Sequence, residues 1–212
     1  MKRSRDRILT THAGSLPRPA DLLARMQATG AGQPGDRPAY TARVRSAVAD
    51  VVERLAGFAP SAEPGELPWA GSREVTAFPE FYMGPRVHDM ELRDVVDIIL
   101  TVRAGAYSFE AANPRHEHEW RVWETVALPE GALLIPGVIT QSTVLVEHPE
   151  LVAERIVRFA TVVGRENVIA GADCGFATFA GSTEIHPTVA WAKLKSLADG
   201  ARLATKTLWG RA

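Results

Sequence analysis

The sequence predicts an α/β fold built from parallel βα units, with about four strands. Three observations predict it. From Met90 onward, helical and strand-like patterns alternate to the C-terminus. Two apolar runs also end alike. Tyr107-Ser108-Phe109 runs into Glu110, and Val168-Ile169-Ala170-Gly171-Ala172 runs into Asp173-Cys174-Gly175, each followed by a turn and a helix signal. The chain has 212 residues, 46% of them hydrophobic, which suits one domain over residues 1–212 with its own core. A closed (β/α) barrel takes eight strands in roughly 250 residues, and this pattern supplies about half of them.

Residues 7–11 read as a short strand, followed by the loop His12-Ala13-Gly14-Ser15-Leu16-Pro17-Arg18-Pro19. Residues 19–28 read as a short helix and residues 30–35 as a turn-rich break. Over residues 38–55, Val44, Ala47, Val48, Val51, Val52 and Leu55 share one helical face, and Gly57 is a good stop. Residues 57–87 hold Pro60, Pro64, Pro68, Pro79 and Pro85 and show no clear period. A structureless stretch of about 30 residues is long for a loop in a compact domain, so this segment marks a boundary or missing material.

Leu92, Val95, Val96, Ile99 and Val102 make the next helical stripe, closed by Gly105. The strand ending in Glu110 follows. Asn113 reads as an N-cap and Pro114 as the first residue of a helix running to about Val126. Ala132-Leu133-Leu134-Ile135 is a strand running into Pro136-Gly137-Val138. Pro149 opens a helix with Val152, Ile156, Phe159, Ala160 and Val163 inward, and Gly164 closes it. Glu154 and Arg158 form an i,i+4 pair on its outer face. Pro187 opens the last helix, with Ala190, Leu194, Leu197 and Ala201 on one side.

A net charge of −1 provides no field for nucleic acid or an anionic membrane. No apolar run approaches the roughly 20 residues that span a bilayer, and the charged N-terminus lacks the apolar stretch of a signal peptide. One cysteine allows no internal disulfide. The expected location is the cytoplasm, with neither nucleic acid nor membrane as partner.

In parallel α/β folds, reactive residues sit at the carboxyl ends of strands. Glu110 and Cys174 both occupy such positions, and a carboxylate and a thiolate on one rim can share a zinc ion. Cys174 can equally be a nucleophile or a small buried hydrophobe. Glu110 can equally be a rim carboxylate bonded to backbone or to an arginine such as Arg115. His116 and His118 fall on a helix, where i,i+2 spacing points them in roughly opposite directions; they read as a surface face or as donors behind a metal site. His148 and His186 each precede a proline at a helix start, which suggests structural roles. The role of His88, in a loop before a helix, is open. His12-Ala13-Gly14-Ser15 offers a glycine and backbone N–H groups that suit a carboxylate or a phosphate.

With these residues in place, the chain resembles the catalytic barrel of cobalamin-independent methionine synthase and its relatives. The matching pieces are Thr10-Thr11-His12-Ala13-Gly14-Ser15-Leu16-Pro17-Arg18, Ser108-Phe109-Glu110-Ala111, Ile135-Pro136-Gly137-Val138 and Ala172-Asp173-Cys174-Gly175-Phe176, in the family's order. The resemblance covers most of the chain outside residues 57–82. It implies a partial (β/α)8 barrel that retains the first and the last three strands. The first and eighth strands of a closed barrel are neighbours, so these four would form one parallel sheet with two open edges, which invite a second copy of the chain. It implies transfer of a methyl group from a methylated folate to the thiol of homocysteine, held as a thiolate by zinc. It places Glu110 and Cys174 among the four zinc ligands, and Gly14 and Ser15 near the amino-acid substrate.

The chain also departs from the family pattern. The other two ligands come from a His-x-Cys strand motif, and no His-x-Cys occurs here. Gly84-Pro85-Arg86-Val87-His88-Asp89 resembles the loop that follows that motif. The acidic Asp-Gly-Glu turn expected after Val52 is absent, as is the acidic strand end in the middle of the barrel. Ile139, Thr140, Gln141 and Ser142 stand where the synthases carry an Asp and a His. The leading expectation is a methionine-synthase-like zinc methyltransferase with a weak or partial metal site and impaired activity. The alternative is a non-catalytic remnant acting as a binding or assembly subunit. A metal-free relative on the same barrel type, a decarboxylase of the uroporphyrinogen kind, would favour arginines and an aspartate at strand ends; Asp173 keeps it open.

Overall fold

A computed structural model describes residues 2–12, 16, 18–30, 36–58, 91–102, 104–176 and 185–210. The elements run β1 (Leu9–Thr10), α1 (Ala20–Gly30), α2 (Arg37–Phe58), α3 (Leu92–Thr101), β2 (Ala106–Phe109), a 3-10 helix (Glu117–Glu124), β3 (Leu133–Ile139), α4 (Pro149–Val163), β4 (Ile169–Ala172) and α5 (Pro187–Trp209). The strands form one parallel sheet in the order β1-β4-β3-β2. That is the α/β architecture and the neighbour relation expected of the first and last three strands of a barrel. Gly14, Ser15, His88 and residues 59–90 lie outside the described residues.

β3 is buried along its whole length and reads as an unbroken apolar run, as a central parallel strand should. Its side chains alternate between faces. Leu133 and Ile135 join Ala106, Ile169 and Leu9 in a small cluster on one face. Leu134 points the other way, with Tyr107, Phe109, Trp123, Phe159 and Val168. The largest cluster lies between the sheet and the last two long helices, where Val138 and Ala170 meet Val152, Ile156, Ala190, Leu194, Leu197 and Ala201.

The helix starts follow local chemistry. His148 and His186 each accept a hydrogen bond from the backbone N–H two residues on, with a proline opening the helix behind them. Both are caps, as their position before proline suggested. Gly164, at φ 89°, ends α4 in a conformation that a side chain would disfavour. The expected Glu154–Arg158 pair is present at 3.7 Å.

Three local expectations are corrected. The segment after Asn113 is not an α-helix from Pro114. Asn113 accepts from the Arg115 N–H at 3.0 Å in a turn, and a 3-10 helix starts only at Glu117. Within it Trp120 and Trp123, three residues apart, both pack into the core, as the 3-10 repeat places them. In α2, Ala47 is buried but Val48 is 57% exposed, so the inward face is narrower than its apolar pattern. α3 ends at Thr101 with Val102 as its cap, short of Gly105.

The N-terminal residues are stitched to the C-terminal part of the chain. Ser4 Oγ donates to the Val168 carbonyl at 2.6 Å, and the Ile8 N–H donates to Thr205 Oγ1 at 3.0 Å. Trp209 Nε1 donates to the Arg5 carbonyl at 3.0 Å. These bonds hold the two-residue β1 against β4.

Candidate functional site at the strand ends

The carboxyl ends of the four strands carry His12, Asp173-Cys174, Thr140 and Glu110, in sheet order. Glu110 follows β2 directly and is buried. It accepts a hydrogen bond from Asn113 Nδ2 at 2.9 Å, so the turn that follows the strand braces the carboxylate. Cys174 sits two residues past β4 and is half-buried. Glu110 and Cys174 therefore share the carboxyl end of one sheet, with β3 between their strands. Burial lowers the pKa of His12 and favours its neutral imidazole.

Asp173 ties this rim together. Its N–H donates to the Ile139 carbonyl at 2.9 Å, which binds its main chain to β3. Its Oδ1 accepts from the Ala111 and Ala112 N–H groups at 2.8 and 2.9 Å, just beyond β2. Oδ2 is buried with no hydrogen-bond partner among the described residues. Burial pushes the Asp173 carboxyl up to about 6, against the lowering effect of the two N–H donors. The Thr140 hydroxyl, near the carboxylate but outside hydrogen-bond geometry for Oδ2, and the Arg155 guanidinium lower it further.

Gly137 makes room for this arrangement. A Cβ built there would lie 2.6 Å from the Asp173 nitrogen and 2.7 Å from its Cα, and closer still to Oδ1. The Pro136-Gly137-Val138 motif thus has a steric reason for its glycine. Asp173 is turned into the sheet to serve backbone donors. It acts as a strut, not as an open rim acid of the kind a decarboxylase would need.

Behind the rim, polar side chains hold the neighbouring loops. Thr140 is buried; its N–H donates to Glu147 Oε1 at 2.8 Å and its hydroxyl meets Ser142 Oγ at 2.9 Å. Arg155 donates to the Val138 carbonyl at 3.1 Å and to Glu117 at 3.0 Å, joining α4 to β3 and to the 3-10 helix. His116 and Glu119 form a buried pair at 3.1 Å, and Glu119 also accepts from the Leu92 N–H at 2.7 Å. His116 is therefore inside the protein and not on a surface face, while His118 is exposed.

The donor chemistry of Glu110 and Cys174 suits zinc, which takes carboxylate oxygen and thiolate sulfur. Among the described residues, no group of three or more His, Cys, Asp or Glu side chains stands close enough to hold a metal ion. No helix among the described residues is long and apolar enough to cross a membrane.

No family model matches the chain, and no curated protein matches its sequence. Among solved structures, it is similar to a B12-independent methionine synthase from Shewanella sp. W3-18-1, at 21% identity and a TM-score of 0.46, over 56% of this chain and 31% of that one. A provisionally assigned vitamin-B12-independent methionine synthase from Listeria monocytogenes is similar at 16% identity and a TM-score of 0.36, over 59% of this chain and 37% of that one. Both scores lie below the level that shows a common fold. The chain spans about a third of the length of the solved structures it matches.

Proposed function

We propose that the chain is a shortened, methionine-synthase-like zinc methyltransferase whose metal site is partial and whose activity on homocysteine is impaired. The observation that carries this reading is the placement of Glu110 and Cys174 at the carboxyl end of one parallel sheet, with Asp173 bonded from one strand end to the next. The sequence motifs around these residues support it. Zinc, where bound, would supply a lowered thiol pKa. Glu110 and Cys174 would hold it, and Gly14 and Ser15 would contact the amino-acid substrate.

The donor set, incomplete among the described residues, supports impairment. Aligning a methyl donor with a thiol acceptor can supply roughly 7–11 kcal/mol of barrier lowering, and it needs the acceptor clamped. The acidic groups that the resemblance expects for that clamp are absent from the sequence. The test is a methyl-transfer assay with zinc, homocysteine and a methylated folate, with Glu110→Ala as control. Little or no turnover is expected. Turnover like that of an intact synthase, abolished in the control, would overturn the impairment.

A second reading, a non-catalytic binding or assembly subunit, is favoured by the same shortfall in donors. β1 and β2 end the sheet, and no strand among the described residues pairs on their outer sides. A second copy adding at such an edge is the assembly this reading expects. Sedimentation of the purified chain tests the assembly: a monomer at all concentrations contradicts addition of a second copy.

A further inference from the structure

We propose that Asp173 is a positioning residue that holds the Glu110 strand end in fixed register with Cys174. Its consequence for a metal rests on the zinc reading above; the lock itself does not. Neighbouring strands lie about 4.8 Å apart, so the ends of β2 and β4 are about 10 Å apart across β3. An aspartate side chain and one hydrogen bond do not reach across that gap. Yet Oδ1 accepts from both Ala111 and Ala112. The backbone leaving β2 therefore turns inward over the end of β3, with Glu110 at the root of the turn.

The Asp173 side chain crosses Gly137, where any added side chain would collide with it. Asp173 is itself anchored, because its N–H pairs with Ile139 of β3. Ala111 and Ala112 are both buried, so their N–H groups have little access to water as a substitute acceptor. Glu110 is braced a second time by Asn113 Nδ2. Two bonds after the carboxylate and one to it set where it points. Asparagine at 173 would keep a carbonyl acceptor for the two N–H groups, whereas alanine would keep none.

The test compares the full-length wild type with Asp173→Ala and Asp173→Asn. Amide exchange at Ala111 and Ala112 is followed by NMR, and cobalt(II) binding by its thiolate absorption band, with Cys174→Ser and Glu110→Ala as controls. In the wild type these two amides are expected to exchange as slowly as those of β3. Asp173→Ala should speed their exchange by at least about tenfold while β3 stays protected. It should weaken cobalt binding by roughly 10–100-fold, the usual effect of removing a partner that orients a ligand. Asp173→Asn should restore most of both.

Fast exchange of the two amides in the wild type would overturn the inference without any variant, which covers an alanine variant that does not fold. Equal, measurable cobalt affinity in wild type and Asp173→Ala would overturn the role in positioning Glu110. Protected amides in a wild type that takes up no cobalt would support the lock and overturn the zinc reading instead.

Discussion

Lys193 Nζ lies 2.8 Å from Glu147 Oε2, and the lysine is completely buried. The pair pins the loop after β3 to α5. Lys193 also donates to the Leu145 carbonyl, and Ser196 Oγ to the Glu147 carbonyl. The other Glu147 oxygen receives the Thr140 N–H. Removing one partner of a buried pair strands the other charge, at a cost of about 3–5 kcal/mol. Lys193→Met should lose that much in urea unfolding, and Lys193→Met with Glu147→Gln should recover a large part. A single variant that loses less than about 1 kcal/mol would contradict the pairing.

Gly137 and Gly171 occupy neighbouring strands but differ in what surrounds them. An added methyl at Gly137 meets the Asp173 main chain at 2.6 and 2.7 Å, whereas at Gly171 it meets the Ile135 Cγ2 methyl at 3.0 Å and the Pro136 carbonyl oxygen at 3.2 Å. Contacts at 3.0 and 3.2 Å are relieved by small shifts of the neighbours, whereas overlap at 2.6 and 2.7 Å with a paired main chain breaks its ladder. Gly137→Ala should therefore cost at least about 3 kcal/mol, the upper range for overpacking, and Gly171→Ala about 1 kcal/mol. Chemical denaturation of both measures the contrast, and equal losses would refute it.

Asp173 also sets a pH dependence. Its folded-state pKa is raised from 3.8 to about 6, so the folded protein holds the proton more tightly than the unfolded chain. Its contribution to stability is full below about pH 4, is lost as pH rises from about 4 to about 6, and is constant above. The span is on the order of 3 kcal/mol. Asp21, held low by Arg43, acts in the opposite direction, so the effect is read as the difference between wild type and Asp173→Asn. Parallel stability curves for the two proteins between pH 3.5 and about 7 would count against it.

Zinc should bind weakly, and less than stoichiometrically after dialysis, because the two protein donors placed among the described residues fall short of the three or four of ordinary sites. Cys174→Ser should abolish what binding there is, and Glu110→Ala should reduce it. Metal analysis by mass spectrometry reads all three proteins. Tightly held, stoichiometric zinc in Cys174→Ser would exclude the thiol as a ligand.

Much of the fold was legible because its signals are local. Prolines at 149 and 187, glycine at 164 and the stripes of α4 and α5 each act within a turn or two, and each lies where its pattern put it. The β1–β4 pairing was legible only through the resemblance, since nothing in residues 7–11 names a partner. The rim carboxylate and thiol could be located from their strand-end positions. The polar struts could not. Asp173 with Ala111, Glu119 with Leu92 and Lys193 with Glu147 join residues far apart in sequence. No periodicity encodes such pairs. The one available hint was Gly137, a glycine inside an apolar strand, which often marks a close approach of another group.

The stitching of the N-terminal residues to the end of the chain bears on how the protein forms during translation. β1 is made before the other described strands, yet among the described residues its strand partner is β4, the last of them to be made. The acceptor for the Ala111 and Ala112 amides arrives equally late, with Asp173. A nascent chain can dock β2 on β3 as soon as both have emerged, but it waits for residues 169–173 to pair β1 and finish the rim. Long-range pairing of this kind slows folding and leaves strand edges exposed in the interval. A nascent chain with β3 emerged and β4 not yet emerged would display a two-stranded sheet with Glu110 unbraced by Asp173, a form open to chaperones and proteases.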